Sequence, residues 1–104
     1  MLIYNVTIQV EQSVAADWLE WMQQVHIPEV LQSGLFTSHQ LCRLLDDHPD
    51  VVTYAVQYHC PGMKEIQRYQ EEFAPGLQAA HRQRYEGRFV AFRTLLEKID
   101  SPIS

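Results

Sequence analysis

Phe36-Thr37-Ser38-His39-Gln40-Leu41-Cys42-Arg43-Leu44-Leu45, then Asp46-Asp47-His48-Pro49-Asp50, then Val51-Val52-Thr53-Tyr54-Ala55-Val56-Gln57-Tyr58-His59-Cys60 is the stretch that decides the fold. Two β-prone runs flank a cluster of turn residues, which is the pattern of a hairpin. Closing the turn with Leu45 opposite Val51 sets Cys42 across from Tyr54, His39 across from Gln57 and Cys60 across from Phe36. In the returning run, Val52, Tyr54, Val56 and Tyr58 form an apolar face. Thr53, Ala55, Gln57 and His59 form a mixed one.

Working outward, Leu2 to Val10 alternates in the same way. Leu2, Tyr4, Val6, Ile8 and Val10 point to one side, and Ile3, Asn5, Thr7 and Gln9 to the other. Ser13 is a good N-cap for a helix from Val14 to Val25, with Val14, Trp18, Met22 and Val25 on one face. Pro28 is expected to end or kink it near His26-Ile27, leaving a short turn to Gln32. After Pro61-Gly62, Met63, Ile66, Tyr69 and Phe73 recur at helical spacing. Pro75 opens a fresh helix to Tyr85, with Leu77, Ala80, His81 and Tyr85 inward and Gly87 as its stop. Phe89 to Leu96 is a strand apolar on both faces, so both faces need cover. The order β-α-β-β-α-β predicts an α+β, ferredoxin-like fold: a four-stranded antiparallel sheet with helices on one face. Residues 1–99 are expected to form one domain, and 100–104 a frayed tail.

Hydrophobic residues make up 46% of the chain, enough for a core without staples. The net charge of −5 disfavours both nucleic acid and anionic membranes, which need a basic surface. The N-terminus lacks a basic, apolar leader, and no run approaches the roughly 20 apolar residues of a membrane span. The expected compartment is the cytoplasm. The hairpin register separates Cys42 from Cys60 by about 20 Å along the sheet, too far for a disulfide. Both are expected to be reduced, buried thiols.

Five histidines raise the question of a metal. His26 ends a helix, His39 and His59 lie on neighbouring strands, His48 in a turn and His81 on the last helix. None has metal-ligand spacing, so no metal and no cofactor is expected. The aromatic residues either line a small-molecule pocket between helices and sheet or simply fill a core. Tyr54 and Tyr58 bear on this choice, because a buried hydroxyl needs a partner. His26, Arg43, Tyr54, Tyr58 and His81 are therefore the candidate ligand-binding residues. RNA recognition is rejected: Tyr4, Tyr54 and Tyr58 share the face expected to lie under the helices.

Leu2-Ile3-Tyr4-Asn5-Val6-Thr7, Trp18-Leu19-Glu20-Trp21-Met22, His26-Ile27-Pro28, Gly34-Leu35-Phe36 and Phe89-Val90-Ala91-Phe92-Arg93-Thr94-Leu95 carry a resemblance. Together with the third strand, they resemble a family of uncharacterised bacterial proteins of this length, a domain of unknown function. That family resembles the dimeric α/β-barrel superfamily. The resemblance implies a homodimer in which two sheets meet face to face, here through the mixed-polarity face. Such relatives include cofactor-free monooxygenases, small isomerases and haem-degrading enzymes. Haem-degrading members use an Asn on strand one, a Trp after strand three and a His on the following helical region. Asn5 and His81 sit at comparable places, but no Trp lies between Met63 and Phe73, and Asn5 has mixed-face parity. Three functions stay open: a small-molecule binder in the helix–sheet cleft of a homodimer, a non-enzymatic dimeric or protein-interaction module, and an enzyme of the superfamily's kinds. Fold alone does not choose among them.

Overall fold

In the computed structural model, which describes residues 1–100, β1 (Leu2–Glu11) leads through a 3-10 turn (Gln12–Val14) into α1 (Ala15–Trp21). A π turn (Met22–His26) joins α1 to α2 (Ile27–Leu31). Then come β2 (Ser38–Arg43), β3 (Val51–Cys60), α3 (Met63–Glu72), α4 (Ala74–Arg84) and β4 (Phe89–Glu97). The sheet is antiparallel in the order β2-β3-β1-β4. This is the ferredoxin-like α+β fold that the hairpin and its flanks predict. Asp100 lies outside any element, and the rest of the expected tail, 101–104, lies outside the described residues.

The period-two pattern of β1 and β3 places the core. Tyr4, Ile8, Val10, Tyr54, Val56 and Tyr58 are buried beneath the helices, together with Trp18, Met22, Ile66 and Tyr69. The molecule measures 40 × 36 × 20 Å. Its thin dimension matches one sheet and one helix layer, since stacked layers sit about 10 Å apart. The second face of the sheet is therefore open in the single chain. Val90, Phe92 and Leu96 stand on it, 53%, 59% and 41% exposed.

Several local expectations are corrected. The β2–β3 register is shifted by one residue: Cys42 pairs with Ala55, Arg43 with Tyr54 and His39 with Tyr58. The connection is looser than a five-residue turn closed at Leu45, and its outermost bond runs from Leu44 N–H to Thr53 O at 2.8 Å. Cys42 is consequently exposed on the open face, while Cys60 is buried under the helices, and both are free. Ser13 does not cap α1, because the chain first makes the 3-10 turn; no side chain caps either turn. Met63 is 46% exposed, and Ala80 is also exposed.

Pro28 does not end the first helix. The Ile27 N–H donates to Met22 O, an i→i−5 bond that widens the turn just before the proline. A proline ring collides with the carbonyl four residues back. That carbonyl belongs to Gln24, inside the widened turn, so the helix passes Pro28 and continues to Leu31. The extra residue also changes what faces the sheet. Ordinary helical spacing puts Val25 inward, yet Val25 is 41% exposed and His26 only 9%.

Candidate functional site

The π turn brings His26 under the helices, and the last turn of α4 brings His81 to meet it. Their ring centroids are 5.3 Å apart. Trp21 packs against both, at 4.9 and 5.5 Å. Phe89, the first residue of β4, stacks flat on His81 at 3.9 Å. The His81 Nε2 accepts a bond from Trp18 Nε1 at 2.9 Å. A neutral ring that accepts at Nε2 carries its proton on Nδ1, so His81 presents a donor on its other side. His26 has no such anchor: its buried Nδ1 has no hydrogen-bond partner among the described residues.

Burial holds both rings neutral. It lowers the His26 pKa to about 4, helped by the Arg93 charge. It lowers that of His81 to about 3, helped by His26 and then Arg93. Burial likewise raises Tyr4, Tyr58 and Tyr69; for Tyr4, the Arg93 guanidinium and the Gln78 amide oppose the rise. These groups line a small, partly open cavity of about 30 Å³ formed by His26, His81, Tyr4, Tyr58, Tyr69 and Arg93, among others. That is room for about one water.

The cavity adjoins a larger cleft. Gln78, His81 and Arg93 also line a cleft of about 500 Å³ between α4 and β4, with Phe89, Ala91 and Glu86 on its walls. Sites for small organic ligands span roughly 300–1,000 Å³. The arrangement is an open cleft, apolar along β4, narrowing to a polar end with one cation and two neutral imidazoles. Such an end can hold a polar head group and move a proton. Among the described residues, no three His, Cys, Asp or Glu side chains gather to hold a metal.

Of the candidate residues, His26, Tyr58 and His81 share the inner cavity. Tyr54 does not; its ring packs on Trp18 at 4.8 Å and belongs to the solid core. Arg43 is placed elsewhere altogether. It sits on β2, the sheet edge opposite β4, and lines a separate surface cleft with Gln12, Asp46 and His48. With strands about 4.8 Å apart, two intervening strands put it out of reach. Arg93 occupies the place expected of Arg43, and its signal was present. It pairs with Val6 and so has the helix-facing parity, a lone cation in an apolar strand, although the residue itself is exposed. Reading β4 as apolar on both faces hid that parity. Asn5 lies on the open face, where its amide donates to Thr7 and Thr94 at 3.2 Å each. Asn5 and His81 are thus on opposite sides of the sheet, which leaves the haem-degrading arrangement unmade.

Comparison with known proteins gives the fold a wide circle of structural neighbours. A dimeric ferredoxin-like protein from an uncultured marine organism superposes with a TM-score of 0.72 at 8% identity, covering 100% of both chains. HapK from Hahella chejuensis superposes at 0.70 with 13% identity, covering 100% of this chain and 98% of its own. A variant of SnoaB, a cofactor-independent oxygenase from Streptomyces nogalater, does so at 0.66 with 11% identity, covering 99% and 98%. At these identities the likeness is one of fold. No curated protein matches the sequence. Residues 1–99 match a family described as a domain of unknown function, DUF4286, and the chain belongs to that family.

Proposed function

We propose that this protein binds a small molecule in the α4–β4 cleft and works as a homodimer joined through the open face of its sheet. The observation that carries the ligand reading is the unpartnered Nδ1 of His26. It is a buried polar atom at the wall of a cavity that shares Gln78, His81 and Arg93 with a cleft of ligand size. Leaving such an atom unpaired costs about 1–3 kcal/mol. Native structures retain that cost mainly where a ligand, a water or chemistry answers it.

The dimer reading rests on the open face. Val90, Phe92 and Leu96 are exposed there beside Asn5, whose Oδ1 is buried without a partner. A second copy across a two-fold axis covers the apolar residues and can satisfy that oxygen. The marine ferredoxin-like relative is itself described as dimeric. Residues 1–99 act as one unit in this reading. The free thiols Cys42 and Cys60 suit a reducing compartment, the cytoplasm.

A second reading makes the site a proton-transfer centre. It is favoured by two imidazoles held neutral at close range and by the description of the SnoaB relative as a cofactor-independent oxygenase. Native mass spectrometry of the protein as purified tests the first reading. The expected ion is a dimer carrying a small adduct that denaturation releases. Bare 12.2 kDa monomers, with no ligand recovered by extraction, would count against both halves.

A further inference from the structure

We propose that the ligand of the α4–β4 cleft is an organic anion with a flat apolar body, its acidic group seated between Arg93, Tyr4 and His26. This rests on the cleft reading above and names its ligand class.

Charge makes the first argument. The ion pairs among the described residues are Arg68–Glu72, Arg84–Asp17 and Arg88–Glu11; Arg93 is in none of them. Yet Arg93 is the cation that bears on His26, His81, Tyr4 and Tyr69 together. Arg93 is exposed in the single chain, yet it lines both the inner cavity and the cleft without an ion-pair partner among the described residues, and its fork suits two oxygens of an incoming anion at once. In a chain of net charge −5, this local excess stands out. Arg82 and Glu86, which also line the cleft, carry opposite charges, so Arg93 sets its net sign.

Hydrogen bonding makes the second. The groups at the inner end are mostly donors: the Tyr4 hydroxyl, the Gln78 amide and the His81 Nδ1–H left by its bond to Trp18. His26 Nδ1 adds another in its Nδ1–H tautomer, and it has no competing partner. Oxyanions accept; ammonium groups do not. Shape makes the third: Phe89 and Ala91 supply an apolar wall along β4, suited to a flat body.

The test uses 1-naphthoate and its neutral amide, 1-naphthamide, followed by amide NMR on the intact protein. Naphthoate is expected to shift the Gln78, His81 and Arg93 resonances and to bind about tenfold more tightly than the amide, one charged hydrogen bond being worth that much. Arg93→Gln should erase the difference, and Arg93→Lys should restore part of it. Arg68→Gln, the same change of net charge on distant α3, should leave it intact. Equal affinity of both probes in the cleft overturns the anion and leaves the cleft standing. No shift at those residues with either probe at millimolar concentration, or shifts confined to the open face, overturns both.

Discussion

The two faces of this sheet are made from one alternation and treated in opposite ways. Toward the helices, Tyr4, Ile8, Val56 and Tyr58 vanish into a core and leave a small polar void beside it. Away from them, Asn5, Thr7, Gln57 and His59 form a mixed surface, studded along β4 with exposed Val90, Phe92 and Leu96. A covered face gains its stability from apolar area and can tolerate a few strained polar groups. An open face of this composition is neither a good core nor a good solvent surface. If the proposed dimer forms through the open face, the contrast teaches that stability and assembly are carried by opposite sides of the same strands.

The helix-facing side should answer most strongly to mutation. Ile8→Ala removes a side chain that is 1% exposed, and the expected loss is about 2–5 kcal/mol. Denaturant unfolding would show it as a lower midpoint at an unchanged slope. A loss near zero would mean the helix layer is loosely seated.

Acid should sharpen the comparison, because both buried imidazoles lie on the helix side. Their folded pKa values, about 4 for His26 and about 3 for His81, lie below the unfolded value of 6.5. The unfolded chain therefore binds protons that the folded chain refuses. Stability should be full above pH 6.5 and fall as pH drops toward the folded values, by about 2–3 kcal/mol for the pair between pH 6.5 and 5. His26→Phe should flatten that slope. An unchanged slope would place the titration in other groups.

On the open face the effect is smaller and different in kind. Phe92→Asp puts a charge into the proposed interface. It should weaken the dimer about tenfold or more while leaving the folded signal of the chain nearly unchanged. Sedimentation at several concentrations would read it, and an unaltered dimer would move the interface elsewhere.

Much of this contrast is legible in the sequence. The alternations of Leu2–Val10 and Val51–Cys60 name the two faces, and Pro61-Gly62, Pro75 and Gly87 punctuate the helices that cover one of them. The site is less legible, for physical reasons. His26 faces inward because a π turn adds a residue to the helical repeat, and no periodicity rule contains that residue. Arg43 and Arg93 look alike as lone cations in strands. Only the sheet order, with β2 and β4 at opposite edges, separates them. Tyr54 and Tyr58 share parity, and which of them borders a void depends on where Trp18 packs.

β4 belongs to both faces at once. Phe89, Ala91 and Arg93 look into the cleft, while Val90, Phe92 and Leu96 look away from it. Ligand and partner would thus press on alternate residues of one short edge strand. Linkage makes such an arrangement reciprocal: whatever factor the ligand imposes on the dimerisation constant, dimerisation imposes on ligand affinity. An affinity measured on dilute protein and one measured on concentrated protein are then properties of two different species, and their ratio measures how stiffly this strand transmits a push from one side to the other.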